Sequence, residues 1–355
     1  MAIVTIVGSG LMGSAMAWPL SDNGHEVRLV GTHLDAGIIQ SCQTQRFHPT
    51  LKRELPHGVQ PYLSDEIGEA LRDAEIIVSG VNSHGVRWIA ETIGPLLRRG
   101  QRLIAITKGL EADDHGTLTI LPDVLQAALP EGMRNRIALA AIGGPCIAGE
   151  LAGRRPSCVV FGCRDAEAAQ AFAAAFRTPY YHVWTTTDLL GLEYCAALKN
   201  AYALAVGLAL GLLEKAGGVD RSGAHTHNLA AAIFAQACTE IERVLEVIGA
   251  TRRFAYGLPG AGDLYVTSVG GRTVRCGTLL GQGHPMHEVR QIMAGVTLEG
   301  AEIVRVMSHG LPRLVADGRL GAQELPLLRT LIEVVVHNQP VRVAAEQFFG
   351  ALGRV

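Results

Sequence analysis

The sequence carries no surplus of positive charge. Its 31 lysines and arginines face 33 aspartates and glutamates, for a formal net charge of −2. That balance excludes the basic footprint of a nucleic-acid-binding protein, so an anionic ligand must meet a local cluster of cations. There is no CxxC pair. Seven cysteines, at 42, 146, 158, 163, 195, 238 and 276, are scattered and odd in number. They argue against a disulfide framework and for a reducing, cytoplasmic setting. No signal peptide is expected, because the first residues already read as a strand. The one long apolar run, 194–213, is interrupted by Lys199 and Asn200, so a buried helix is expected there and no membrane span. No carboxylate or cysteine cluster accompanies His225 and His227, so no metal is expected. No internal repeat, low-complexity tract or flexible linker is visible. With 48% apolar and 18% charged residues over 355 positions, the chain reads as globular, with length for about two domains.

What is present is organised around the opening stretch. Ile3, Val4, Ile6 and Val7 suit a strand buried on both faces. A turn follows, spelled Gly8-x-Gly10-x-x-Gly13, and then a helical pattern. Gly8 permits a tight turn, Gly10 lets a pyrophosphate approach the backbone, and Gly13 lets helix pack on strand. The N–H groups at the helix start favour an anion. A helix over 12–23, kinked at Pro19, leads to a strand over 25–30. The strand ends at Gly31-Thr32-His33, where NAD-specific sites often carry an acid; the nearest here is Asp35. That leaves NAD and NADP both open.

Residues 40–58 read as a loop-rich excursion with Pro49 and Pro56. Beyond it strands over 75–80, 102–107, 137–142, 158–161 and 180–184 alternate with helices over 64–72, 86–97 and 165–176. This alternation implies a mostly parallel, Rossmann-like sheet covered on both faces, with ligands at the carboxyl ends of its strands. From 189 onward only helices are expected: 190–213, 227–248, 272–280, 285–294, 298–309, 324–337 and 340–349. The expected organisation is therefore α/β over residues 1–187, a dinucleotide-binding domain, and all-α over 188–355, a substrate-binding and catalytic domain.

Three constellations could carry chemistry. Lys108, in Thr107-Lys108-Gly109-Leu110-Glu111, follows an apolar strand into the expected ligand crevice. Lys199, in Leu198-Lys199-Asn200, stands among alanines, leucines and tyrosines; burial there weakens its hold on its proton and suits it to protonate a developing alkoxide. Asp263, in Gly257-Leu258-Pro259-Gly260-Ala261-Gly262-Asp263-Leu264, lies in a tight backbone and could hold a lysine ammonium. Thr267 and Gly270-Gly271-Arg272-Thr273 follow, and Arg272 has the planar fork that grips phosphate.

In order and spacing these motifs resemble those of the NAD(P)-dependent glycerol-3-phosphate dehydrogenases: GxGxxG, TKGLE, the Gly144-Pro145 turn leading to Glu150, LKN, GLxGxGDL and GR. The resemblance covers essentially the whole chain. It implies an oxidoreductase acting on CH–OH donors, interconverting dihydroxyacetone phosphate and sn-glycerol 3-phosphate with NAD or NADP, a reaction of carbohydrate and glycerophospholipid metabolism. It implies Lys199 as general acid/base, with Lys108 and Asp263 beside it in catalysis. It places substrate on Lys108, Gly144, Lys199, Asn200, Asp263, Thr267, Arg272 and Thr273. It places cofactor on Gly8, Gly10, Leu11, Met12, Gly13, Thr32, His33, Lys108, Ala148, Arg272 and Glu299, with the site between the two domains. Glu193 and the Gly281-Gln282-Gly283 turn also look like the family. The sequence departs from the usual pattern at Thr273, where asparagine is usual, at Cys146 in place of serine, at Leu11-Met12 in place of Ser-Trp, at Asn82 in place of proline, and at Ala230 and Gln236 in place of lysine and arginine. The expected partner is a small phosphorylated substrate, and a homodimer is among the expected assemblies. The alternatives are a reductase of another phosphorylated ketone or of a 2-dehydropantoate-like keto acid, and a cofactor-binding protein without turnover.

Overall fold

The computed structural model describes residues 1–341. The helix expected over 340–349 falls outside them apart from its first two positions. The chain forms two compact units, Met1–Lys108 with Ile120–Glu193, and Gly109–Thr119 with the chain from Tyr194 onward.

The first unit is built on eight strands: β1 (Ile3–Val7), β2 (Glu26–Val30), β3 (Val59–Tyr62), β4 (Ile76–Ser79), β5 (Arg102–Ala105), β6 (Ala138–Gly143), β7 (Ser157–Cys163) and β8 (Tyr181–Thr186). They lie in the order β8-β7-β6-β5-β4-β1-β2-β3. Every pairing is parallel except β6 with β7. The order reverses at β1, which is where a doubly wound sheet leaves a crevice for a ligand. Side chains alternate across the sheet, and each face has its own core. Val4, Ile6, Val78 and Ile104 pack with Phe172, Phe176 and Tyr181. Val7, Ile77 and Leu103 pack with Ile89, Ile93 and Leu125. Strands buried on both faces are largely apolar, as β1 and β4 are apart from the buried Thr5 and Ser79.

Several stretches differ from the sequence reading, which expects no helix where Leu121–Ala128 stands. The expected 12–23 helix is two helices, Leu11–Ala15 and Ala17–Asp22. Pro19 explains the break: it has no N–H for the Ala15 carbonyl, and its ring crowds that carbonyl. The 40–58 excursion is more ordered than its composition suggests. It holds most of a helix, Ala36–Gln45, and a hairpin of Phe47–His48 with Arg53–Glu54, and it leads into edge strand β3. Pro61 disguises that strand, yet a sheet edge tolerates the missing N–H.

The second unit is helical. Its main helices are the greater part of Leu189–Lys215, then His227–Val247, Arg272–Gln282, Glu299–Ala316 and Pro326–Val335. The hairpin of Leu110–Ala112 with Leu118–Ile120 lies almost wholly in this unit. An ideal Cβ on Gly310 would stand 2.5 Å from the Leu118 side chain, and one on Gly116 would stand 2.6 Å from the His309 carbonyl. The hairpin is therefore pressed onto helix Glu299–Ala316, although the expected boundary near 187 leaves it with the N-terminal residues.

Leu189–Lys215 is long and apolar enough to cross a membrane by composition, but 83% of its most apolar window is buried inside the protein. It crosses Arg272–Gln282 through four glycines. A Cβ on Gly207, Gly211, Gly277 or Gly281 would lie 2.0–2.4 Å from a backbone carbonyl of the facing helix. Only glycine lets two helix backbones approach that closely. The long helix is tied again by Tyr202, whose hydroxyl donates to the buried Glu240 carboxylate at 2.9 Å. Glu240 also accepts from Leu327 N and Leu328 N, capping helix Pro326–Val335.

Candidate functional site

In the first unit the expected cofactor residues lie along one edge of the sheet, at the carboxyl ends of its parallel strands. Gly8 leaves β1 with φ +110°. A Cβ on Gly8 would stand 2.7 Å from the Gly80 carbonyl group, and one on Gly13 would stand 2.3 Å from the Gly8 oxygen. Gly80, at the end of β4, completes this three-glycine contact, since its own Cβ would meet the Gly8 oxygen at 2.7 Å. Gly10 differs: a Cβ there meets nothing within 4 Å. Two of the motif glycines are thus required by packing, and the third leaves open space at the start of helix Leu11–Ala15. That is the arrangement a pyrophosphate needs, so these residues fit a dinucleotide. Leu11 is exposed and Met12 half-buried at the same helix start.

Thr32 and His33 follow β2. The Asp35 Oδ2 accepts from Thr32 N and Thr32 Oγ1, both at 2.9 Å, and from Ser9 N at 3.2 Å. It ties the loop after β2 to the loop after β1. The His33 ring meets Trp88 edge-on at 5.5 Å.

Lys108 lies just beyond β5, and Thr107 before it donates its hydroxyl to the Val81 carbonyl. Gly144 follows β6 with φ +125°, and Ala148 opens the short helix Ala148–Ala152. Glu193 is fully buried in the same unit, with no hydrogen-bond partner among the described residues on either carboxylate oxygen. Burial pushes its carboxyl up to about 8, the charge of Lys108 opposes that rise, and Asp123 adds to it. Glu193 is accordingly a neutral acid at neutral pH.

In the second unit Lys199 is 6% exposed and Asp263 3%, so their ion pair is shielded from water. Lys199 Nζ donates to Asp263 Oδ1 at 3.0 Å and to Thr267 Oγ1 at 2.7 Å. The Thr267 hydroxyl in turn donates to the Asp263 carbonyl at 2.7 Å. Local sequence explains the geometry. Leu258–Gly262 forms a widened turn, and Gly260 fits because a Cβ would strike the Ala255 carbonyl at 2.2 Å. Helix Asp263–Ser268 starts at once, putting Asp263 and Thr267 one turn apart on one face. An ammonium held by two oxygens in low dielectric is fixed in place, which is what directed proton transfer requires.

Arg272 and Thr273 open helix Arg272–Gln282 after Gly271, whose φ is +93°. Arg272 Nη2 pairs with Glu299 Oε1 at 2.7 Å. Asn200 is buried, and a Cβ on Gly300 would stand 2.6 Å from its carbonyl and 2.9 Å from Thr273 Cγ2. The glycine crossing thus sets Thr273 against the helix that carries Lys199 and Asn200. Lys199, Asn200, Asp263, Thr267, Arg272, Thr273 and Glu299 are all expected from the sequence. The Arg272–Glu299 pair, the Gly80 contact and the Glu240 cap are not, because they join positions far apart in the chain.

A glycine turn at the reversal point of a doubly wound sheet, with a helical second unit, defines the class as a Rossmann-type dinucleotide-binding protein. The comparisons are narrower. The model of the NAD-dependent glycerol-3-phosphate dehydrogenase N-terminus matches residues 3–169, and that of the C-terminus matches 188–346. The NADP(+)-dependent glycerol-3-phosphate dehydrogenase of Archaeoglobus fulgidus is 37% identical over 90% of this chain and 92% of its own. The glycerol-3-phosphate dehydrogenase (NAD(P)+) of Shouchella clausii is 32% identical over 99% and 96%. A crystal structure of glycerol-3-phosphate dehydrogenase from Coxiella burnetii has the same fold, with a TM-score of 0.78, 23% identity and 99% of each chain covered. The chain belongs to the NAD-dependent glycerol-3-phosphate dehydrogenase family.

Proposed function

We propose that this protein interconverts dihydroxyacetone phosphate and sn-glycerol 3-phosphate with NAD or NADP. The observation that carries the reading is the buried Lys199–Asp263–Thr267 cluster in a member of this family. When bound, the nicotinamide supplies or accepts the hydride. This chain supplies the rest. Gly8, Gly10 and Gly13, with Leu11, Met12, Thr32, His33, Ala148 and Glu299, hold the cofactor. In the reducing direction the Lys199 ammonium donates a proton to the carbonyl oxygen, and in the other direction the amine takes it from the alcohol. Asp263 and Thr267 fix Nζ, and the Asp263 charge favours the ammonium that forms. Arg272 grips the substrate phosphate with Thr273 and Asn200, and its guanidinium also serves the cofactor. Lys108 and Gly144 line the substrate.

The division of work follows the proposed domains in the main: residues 1–187 hold the dinucleotide and add Lys108 and Gly144 to the substrate, and residues 188–355 bind substrate, move the proton and add Arg272 and Glu299 to the cofactor. The seven cysteines are scattered along the chain, which suits a reducing compartment, and we infer the cytoplasm. The test is turnover of dihydroxyacetone phosphate and dihydroxyacetone with NADH and with NADPH. The reading expects rapid turnover of the phosphate and poor turnover of the free ketone. Arg272→Ala is expected to raise the KM for the phosphate strongly. Equal use of the two ketones would refute the phosphate site.

A further inference from the structure

The hairpin after helix Ala36–Gln45 bears directly on the glycine turn. His48 lies in it with no exposed surface. Its Nδ1 accepts the Leu51 N–H at 3.1 Å. A backbone N–H can only donate, so in the neutral ring the proton sits on Nε2. That Nε2–H donates to the Ser9 carbonyl at 3.0 Å. Burial holds the His48 imidazole below its ordinary range, which keeps this neutral tautomer in place.

Ser9 is therefore held on both sides. Its N–H is tied to Asp35 and its carbonyl to His48. Each bond fixes one of two successive peptide groups inside the glycine turn. The Ser9 carbonyl and the Gly10 N–H belong to the same peptide group, which is trans, as no cis bond occurs among the described residues. In a planar trans peptide these two groups point in opposite directions. Drawing the carbonyl into the hairpin thus turns the Gly10 N–H away from it. Gly10 is also the motif glycine whose Cβ position is open, with nothing within 4 Å.

We propose that His48 is a positioning residue for the dinucleotide: through its Nε2–H it locks the Ser9–Gly10 peptide so that the Gly10 N–H is presented to the cofactor pyrophosphate. The proposal rests on the reading of the glycine turn as the cofactor site. It gives the hairpin a role that neither a spacer loop nor a sheet edge would have. A turn free to rock about this peptide would lose binding free energy in ordering itself around each incoming cofactor.

Two substitutions separate the bonds that His48 makes. In His48→Asn the amide oxygen can take the place of Nδ1 and accept from Leu51, but the side chain is too short to reach Ser9. In His48→Gln the amide nitrogen reaches the Nε2 position and can donate to Ser9. The experiment is fluorescence titration of NADPH and NADH into the wild-type protein and both variants, with thermal melts of the unliganded proteins. His48→Asn is expected to weaken dinucleotide binding about tenfold, the scale of one buried hydrogen bond. Its kcat at saturating cofactor is expected to stay within about twofold of wild type, because the bond positions the cofactor and takes no part in the chemistry. His48→Gln is expected to recover most of the affinity. Wild-type affinity in His48→Asn, or equal weakening in both variants, would overturn the proposal. If the wild-type protein bound neither dinucleotide, the cofactor reading of the turn would itself fall.

Discussion

Replacing Gly277 by alanine tests how the second unit is assembled. Gly277 lies in the middle of helix Arg272–Gln282, where alanine normally stabilises by about 1 kcal/mol through its helix propensity. Here the new methyl would stand 2.1 Å from the Leu204 carbonyl oxygen and 3.0 Å from Gly207 Cα. Ordinary contact begins at 3.4 Å, so the two helices must part by about 1.3 Å. Both obstacles are backbone, and no side chain can swing aside. Overpacking of this kind costs about 1–3 kcal/mol and more where nothing yields, which exceeds the propensity gain. With the cost at the upper end of that range, a net loss of about 2 kcal/mol is expected, or a melting temperature lower by about 4–8 °C for a unit of this size. The parting also carries Arg272 and Thr273 away from Lys199, so kcat/KM should fall at least tenfold in the folded variant. Gly37, near the start of helix Ala36–Gln45, is the internal control. A Cβ there meets nothing within 4 Å, so Gly37→Ala should leave stability unchanged or raise it slightly. Thermal melts and steady-state kinetics on the two variants decide the matter. A Gly277→Ala protein as stable and as active as wild type would refute the close-crossing account.

Three further outcomes follow from the first unit. Gly10→Val should fold, because the Cβ position is open, yet lose nicotinamide cofactor binding. Gly8→Ala should be poorly folded, because its methyl would strike Gly80 at φ +110°. Equal cofactor affinity in Gly10→Val and wild type, measured by titration, would contradict the use of this turn. Glu193 gives a pH signature. Its folded carboxyl lies near 8, against an ordinary value of 4.5 in the unfolded chain. The folded state therefore binds the extra proton, and stability falls as pH rises from about 4.5 to about 8. The loss approaches ~3 kcal/mol at pH 7. Glu193→Gln removes the titration, so melts across this window should show wild type losing ground to the variant as pH rises. Parallel profiles would mean that Glu193 is not held neutral.

Much of the sheet was legible because its central strands are apolar on both faces, and a sequence shows that directly. The glycine turn was legible for a related reason: Gly8 adopts a backbone that other residues avoid, so the composition is the conformation written out. Lys199 stood out as a charge inside an apolar helix. The excursion at 40–58 was not legible. Helix Ala36–Gln45 turns only Ile39 and Cys42 fully inward, too narrow a stripe to register as a period. Strand β3 carries Pro61, a residue that ordinarily argues against a strand. The glycines at 207, 211, 277 and 281 read locally as weak points in helices, and their purpose appears only when the facing helix is known. The Arg272–Glu299 pair and the His48–Ser9 bond are also contacts between separate elements, and single-sequence periodicity carries no information about which elements meet.

The central claim is that Lys199 protonates the ketone oxygen, and kcat of Lys199→Met tests it most directly. Methionine keeps the unbranched stem as far as Cε and most of the volume of the side chain, and it removes the proton donor at Nζ. It leaves the Asp263 carboxylate buried without its cation, which costs about 3 kcal/mol, so a thermal melt must first establish that the variant is folded at the assay temperature. With dihydroxyacetone phosphate and NAD(P)H at saturation, the account predicts a fall in kcat of about 10²–10⁴, the range that general acid catalysis supplies, with cofactor affinity unchanged. A folded Lys199→Met protein with kcat near the wild-type value would contradict the account, and Lys108 would then be the residue to examine as the acid.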